Sequence, residues 1–215
     1  MAEASDHKPS ERTPTVWIVE DDKDARFALV SLAESVGLQA QAFSSGEEFV
    51  AHWSDDLRGC VVSDFRLPKM SGLELLEALV ERASELPFIM ISGHADVPIA
   101  VSAIKQGAFD FLQKPVVFQE ALDRIQAAMA EEQKRFEARK QALAAEDAVQ
   151  RLTEREAEIM ELMVAGKKNR EIAKKLKISE RTVEIHRARV MQKMGCGSLA
   201  ELARMVLSRA AEKPK

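Results

Sequence analysis

The sequence predicts two folded parts: an α/β doubly wound domain on a five-stranded parallel sheet, then a small all-α domain of four helices. Three observations predict it. Short apolar runs recur through the first half of the chain and alternate with helix-like stretches, which is the pattern of successive βαβ units. From residue 118 onward the composition turns to Ala, Glu, Gln, Lys and Arg, all good helix formers, with no strand-like run. The charge also changes sign along the chain. Residues 1–150 carry 15 Lys and Arg against 26 Asp and Glu, a balance of −11, whereas residues 151–215 carry 16 against 9, a balance of +7.

The first strand is Val16-Trp17-Ile18-Val19, followed by a helix over about 23–36 that Gly37 stops. Residues 38–43 alternate as a second strand, and Ser44-Ser45-Gly46-Glu47-Glu48 opens a short helix to about Trp53. The third strand, 60–63, runs into the loop Leu67-Pro68-Lys69-Met70-Ser71-Gly72 and a helix to about Ala83. The fourth strand, 87–91, precedes a helix over about 97–106 stopped by Gly107. The fifth, 109–113, precedes a helix that begins near Val117. Right-handed crossovers then place helices on both faces of one sheet.

Phe118, Leu122, Ile125 and Met129 form one apolar stripe. Beyond it only Phe136 and Leu143 continue, and Glu132 and Arg139 occupy the intervening seam positions, which a strict coiled coil would fill with apolar residues. A polar helical linker over 131–150 follows, and whether it also pairs two chains stays open. The organisation expected is thus a loose tail at 1–13, an α/β domain at 14–130, the linker, and a helical domain at 151–212.

In that last domain Thr153-Glu154-Arg155-Glu156 is a capping box opening a helix through Ile159, Leu162 and Met163 to Gly166. A short helix spans 169–176, Lys177-Ile178-Ser179 is a tight connection, and a longer helix spans 180–194. Ser198-Leu199-Ala200-Glu201 is a second capping box before a final helix to about Ala210. Two helices joined by a three-residue turn, the second basic, form a helix-turn-helix.

At 215 residues with 46% apolar content, the chain has material for two cores of roughly 100 residues each. No apolar run approaches the roughly 18 residues that span a bilayer, so no membrane association is expected. Cys60 and Cys196 lack metal-type spacing, as expected of a reduced cytosol.

The chemistry is expected at the carboxyl ends of the strands, where parallel sheets place their sites. Glu20, Asp21 and Asp22 follow the first strand, Asp64 ends the third, Ser92 the fourth, and Lys114 the fifth. Carboxylates crowded there raise one another's pKa unless a cation neutralises them. Mg²⁺ is satisfied by a few oxygen ligands plus water. A carboxylate can also attack phosphorus to form an acyl phosphate, with the metal and the Lys114 amine absorbing charge.

These segments resemble the receiver domain of bacterial two-component response regulators: Ile18-Val19-Glu20-Asp21-Asp22, Ser63-Asp64 with Pro68 and Ser71-Gly72, Ile91-Ser92-Gly93-His94, and Lys114-Pro115. The resemblance implies Asp64 as phosphoacceptor, Asp21 as direct metal ligand, Glu20 as a second acid acting through water, and the Arg66 carbonyl as a further ligand. Ser92 stands where Thr is more frequent, and Phe111 where the family has a Tyr or Phe rotamer switch. The Lys114-Pro115 bond is often cis in this family. A haloacid dehalogenase-type phosphatase resembles Asp-x-Asp instead, and here Arg66 occupies the second acid's place, so an enzyme is not expected.

Residues 151–210 resemble the LuxR-type helix-turn-helix of the FixJ/NarL class of response regulators. The carrying residues are Leu152-Thr153-Glu154-Arg155-Glu156, Gly166, Asn169, Ile172-Ala173, Leu176, Arg181-Thr182-Val183-Glu184-Ile185-His186 and Lys193-Met194. Val183, Val190 and Met194 are spaced to face the core, with His186 packing beside them. Glu184, Ile185, Ala188, Arg189 and Gln192 then face the major groove, where Arg189 suits guanine, Glu184 cytosine N4 and Ile185 a thymine methyl. Lys174, Lys175, Lys177, Arg181, Arg187 and Lys193 suit phosphates.

The expected function follows from the two resemblances. A sensor histidine kinase phosphorylates Asp64 with Mg²⁺, two receivers pair as a homodimer, and the basic domains bind double-stranded DNA in the bacterial cytoplasm to recruit or exclude RNA polymerase. The alternative is a constitutive DNA-binding regulator whose receiver is a dimerisation or docking scaffold that works without phosphorylation.

Overall fold

The five strand-like segments become β1 (Thr15–Val19), β2 (Gln39–Phe43), β3 (Gly59–Asp64), β4 (Phe88–Ser92) and β5 (Asp110–Gln113). Every pairing is parallel and the order is β2-β1-β3-β4-β5. The computed structural model describes residues 12–93 and 97–211, side chains at 97, 98 and 208–211 excepted. The expected tail therefore lies outside the described residues as far as residue 11, and so does His94.

The helices between the strands are α1 (Lys23–Ser35), α2 (Gly46–His52), α3 (Gly72–Glu81) and α4 (Val97–Lys105), followed by α5 (Phe118–Gln150). Period-two side chains divide the buried strands between two cores. Trp17, Val19, Val61, Phe88 and Met90 pack with Phe49 of α2, Leu75 and Leu79 of α3 and Ala103 of α4. Val16, Ile18, Val62, Ile89 and Ile91 pack with Leu29 and Ala33 of α1 and Ala121, Ile125 and Ala128 of α5. The order in which strands are added reverses at β1, with β2 on one side and β3 on the other, so the carboxyl ends of β1 and β3 meet at the crevice where doubly wound folds bind ligands.

The chain divides into two compact units, residues 1–136 and 137–215. The first unit holds α5 six residues past the boundary expected at 130. Glu132, read from sequence as a failed seam position, is buried, and its carboxylate accepts from Arg58 Nε at 2.9 Å and Nη2 at 3.0 Å. Arg58 also donates to Gln133 Oε1 at 2.7 Å, and its guanidinium carbon lies 3.4 Å from the Phe136 ring centroid. Glu132 thus has a partner 74 residues away, which helical periodicity cannot reveal.

In the second unit α6 (Glu154–Val164), α7 (Asn169–Leu176), α8 (Glu180–Met194) and α9 (Leu199–Ala211) close around Ile159, Met163, Ile172, Val183, Val190, Met194 and Leu202. Lys177 caps α7 in the left-handed region (φ 56°, ψ 43°), and Ser179 caps α8 by accepting from the Thr182 amide. That pair makes the sharp α7–α8 turn. The second capping box departs from expectation. Ser198 accepts from the Glu201 amide, but Glu201 reaches the Gly197 amide at 2.8 Å, one residue before the cap.

Candidate functional site

Glu20 and Asp21 directly follow β1, Asp64 ends β3, and one carboxylate oxygen from each lies within 4.8 Å of the other two. Glu20 is 1% exposed and Asp64 is buried, while Asp21 faces solvent. Lys114 follows β5 and places Nζ 2.8 Å from Glu20 Oε2 and 3.0 Å from Asp64 Oδ2. Burial pushes the Glu20 pKa up, opposed by its bond from Lys114 and assisted by the Asp64 charge. Burial also works against the Lys114 charge, but its bonds to Glu20 and Asp64 outweigh this and raise its pKa. The ammonium is therefore the counter-charge that the two buried carboxylates share.

The loop after β3 is closed by a hydrogen bond from the Gly72 amide to the Phe65 carbonyl at 2.9 Å. It approaches so closely that a Cβ on Gly72 would stand 2.3 Å from the Asp64 carbonyl oxygen. Arg66 lies exposed on this loop, two residues past Asp64. Ser92 is buried at the end of β4, its carbonyl accepts from the Lys114 amide at 2.7 Å, and the Lys114–Pro115 bond that follows is cis. Among the described residues its hydroxyl makes no hydrogen bond to Asp64. Phe111, on β5, is half-buried against the core that holds α3 and α4. Asp22 instead caps α1, its carboxylate accepting from the Asp24 and Ala25 amides.

Three hard oxygen donors and an exposed side open to water fit a small divalent cation such as Mg²⁺. Such a cation would relieve the repulsion among Glu20, Asp21 and Asp64 that Lys114 balances only in part.

On α8 the expected split between faces is present. Val183, Val190 and Met194 are buried, and Glu184, Ile185, Ala188, Arg189 and Gln192 are exposed along the opposite face. Lys174, Lys175, Lys177 and Arg181 are exposed as well, and Arg187 is half-buried. His186 is half-buried, with a buried Nδ1 that finds no hydrogen-bond partner among the described residues. Lys193, expected to face phosphate, also has partners within its own domain. Its ammonium donates to Glu156 Oε2 at 2.6 Å and to the Arg151 carbonyl at 3.0 Å, so the domain itself holds it.

The comparisons with known proteins agree with this geometry. The family model described as the response regulator receiver domain matches residues 16–126, and that of the bacterial regulatory proteins of the luxR family matches 150–206. Nodulation protein W of Bradyrhizobium diazoefficiens is 40% identical over 199 residues, covering 93% of this chain and 88% of that protein. The C4-dicarboxylate transport transcriptional regulatory protein DctR of Rhodobacter capsulatus is 43% identical over 193 residues, covering 89% and 98%. The solved structure of response regulator StyR matches with a TM-score of 0.79 at 37% identity, covering 91% of this chain and 99% of that one. Full-length FixJ matches with a TM-score of 0.57 at 34% identity, covering 94% and 100%. The chain belongs to the two-component response regulators of the FixJ/NarL class.

A response regulator of this class is a transcription regulator with a receiver and a LuxR-type DNA-binding domain. Among its described residues no helix is long and apolar enough to cross a membrane. Sequence reasoning missed the internal braces of its DNA-binding domain. Arg155 Nη2 donates to the Leu176 carbonyl at 2.7 Å, tying α6 to the end of α7, and Glu156 ties α6 to α8 through Lys193. Their signal was present. Glu156 falls on the same helical face as Ile159, Met160 and Met163, and an acid on an apolar stripe needs a cation inside the fold.

Proposed function

We propose that Asp64 of this response regulator accepts a phosphoryl group from a sensor histidine kinase in the cytoplasm, and that this switches the receiver to a pairing form. The observation that carries the reading is Lys114, whose Nζ bridges Glu20 and Asp64 at 2.8 and 3.0 Å. Asp21, Asp64, the Arg66 carbonyl and a water-bridged Glu20 would hold Mg²⁺, which when bound neutralises charge on the phosphoryl oxygens. An Asp64 oxygen attacks phosphorus as the bond to the kinase imidazole breaks, its electron pair returning to that nitrogen. Lys114 keeps its bond to Glu20 and turns its second contact from Asp64 to a phosphoryl oxygen.

The Ser92 hydroxyl then takes another phosphoryl oxygen, and Phe111 rotates inward behind it. Both movements alter the face made by α4, β5 and the start of α5. That face already carries Val101 and Ile104 at 45% and 48% exposure, which supports its use in pairing two receivers. Pairing presents two basic domains to double-stranded DNA. Glu184, Ile185, Ala188, Arg189 and Gln192 read base edges there, and Lys174, Lys175, Lys177, Arg181 and Arg187 take phosphates. The bound pair then recruits or excludes RNA polymerase.

The test is molar mass by light scattering, with and without beryllofluoride and Mg²⁺. A monomer that becomes a dimer, and stays a monomer as Asp64→Asn, is the expected result. A chain that is dimeric in every condition and binds DNA as Asp64→Asn would move the reading to constitutive binding with a scaffold receiver.

A further inference from the structure

The turn between β1 and α1 supplies two of the three clustered carboxylates, and something must hold so short a segment in place. Arg26, in the second turn of α1, folds back over it. Its Nη1 donates to the Glu20 carbonyl at 2.6 Å and to the Asp21 carbonyl at 3.0 Å. Asp22 closes the opposite side, accepting from the Asp24 amide at 3.0 Å and the Ala25 amide at 2.8 Å, while its own amide donates to Glu20 Oε1 at 3.3 Å. The peptide groups on both sides of Asp21 are therefore fixed. The Asp21 carboxylate itself accepts no hydrogen bond among the described residues and stays exposed within reach of Glu20 and Asp64.

We propose that Arg26 is a positioning residue for the divalent cation, holding the main chain of Glu20 and Asp21 so that their carboxylates face Asp64. The inference rests on the phosphoryl-accepting reading of this acid cluster. Geometry and charge predict opposite signs. A guanidinium near a cation site repels Mg²⁺, so if its charge dominated, removing it would tighten binding. If its two carbonyl bonds dominate, removing it loosens the ligands, and supporting residues of this kind are worth about 10–100-fold in metal affinity.

The experiment is a calorimetric Mg²⁺ titration of the full chain, unphosphorylated, for wild type, Arg26→Met, Arg26→Lys and Asp21→Asn. A second readout is acetyl phosphate uptake on Asp64 as a function of Mg²⁺ concentration. Arg26→Met keeps the apolar stem, and its Mg²⁺ affinity is expected to fall about tenfold. Its uptake should recover when Mg²⁺ is raised by the same factor. Arg26→Lys keeps the charge on a shorter side chain that cannot reach both carbonyl groups equally well, and its affinity is expected to lie between the two.

Equal or tighter Mg²⁺ binding by Arg26→Met overturns the inference while leaving the phosphoryl-accepting reading intact. A wild-type chain that takes up neither Mg²⁺ nor phosphoryl group overturns both. If Arg26→Met fails to fold, Arg26→Lys decides alone. Weakened Mg²⁺ binding with the charge retained supports positioning, and wild-type affinity overturns it.

Discussion

Gly72 has no room for a side chain, because its missing Cβ would fall 2.3 Å from the Asp64 carbonyl oxygen and 3.0 Å from Phe65 Cα. Both obstacles are main chain, so neither can rotate away. Gly72→Ala must push the loop off β3, at a cost typical of overpacking, about 1–3 kcal/mol. The expected outcome is a lower melting temperature for the receiver and a fall in Asp64 labelling by acetyl phosphate larger than the loss of folded protein explains. Labelling that merely tracks the folded fraction would show that the loop does not set the site. The residues clustered at this rim were legible in sequence, since Glu20, Asp21, Asp64, Ser92 and Lys114 all stand at the ends of apolar runs. Arg26 was not legible, because it acts on carbonyl groups that every residue carries.

At the scale of elements, the strands and helices lie within two residues of their expected ends wherever an apolar period met a capping residue or a glycine. What periodicity could not supply was the polar pairs that lock elements together. Glu156 is 3% exposed, and its bond from Lys193, assisted by the Thr153 amide, pulls its pKa down to about 2. A carboxylate depressed in the fold stabilises it above its ordinary value, 4.5, and that stability is lost as pH falls from there toward about 2. Glu156→Gln is therefore expected to weaken the DNA-binding domain by about 2 kcal/mol near neutral pH. Urea unfolding at pH 7 and at pH 3 checks this, because the gap between wild type and variant should narrow at the lower pH. A gap that stays constant would mean the charge on Glu156 does not matter. The Arg58–Glu132 pair makes a matching case on α5. Glu132→Ala leaves a buried guanidinium unpaired, with an expected cost of about 3–5 kcal/mol. Amide exchange should rise over 130–136, and exchange unchanged there would mean that the ion pair does not hold the helix.

Over the whole molecule, the charge is divided so that only residues 151–215, with a balance of +7, are suited to a polyanion. Each phosphate neutralised releases counterions, and the logarithm of affinity falls against the logarithm of salt by about 0.9 per contact. Lys174, Lys175, Lys177, Arg181 and Arg187 would give a single domain a slope of roughly −4 to −5. Lys193, already held by Glu156, is expected to add nothing to it. Arg181→Gln should therefore lower the slope by about one unit, and Lys193→Gln should leave it alone. The same measurement reads the proposed pairing step, because a dimer engages two domains on one duplex. Fluorescence anisotropy on a labelled duplex, from about 50 to 200 mM salt, should show the slope nearly doubling once beryllofluoride and Mg²⁺ are added. Asp64→Asn should keep the shallower slope under the same conditions. A slope that is already steep without beryllofluoride, and equally steep in Asp64→Asn, would mean that two domains engage DNA without any phosphoryl signal. The acid cluster would then serve a folded scaffold, and control of transcription would have to enter the molecule elsewhere.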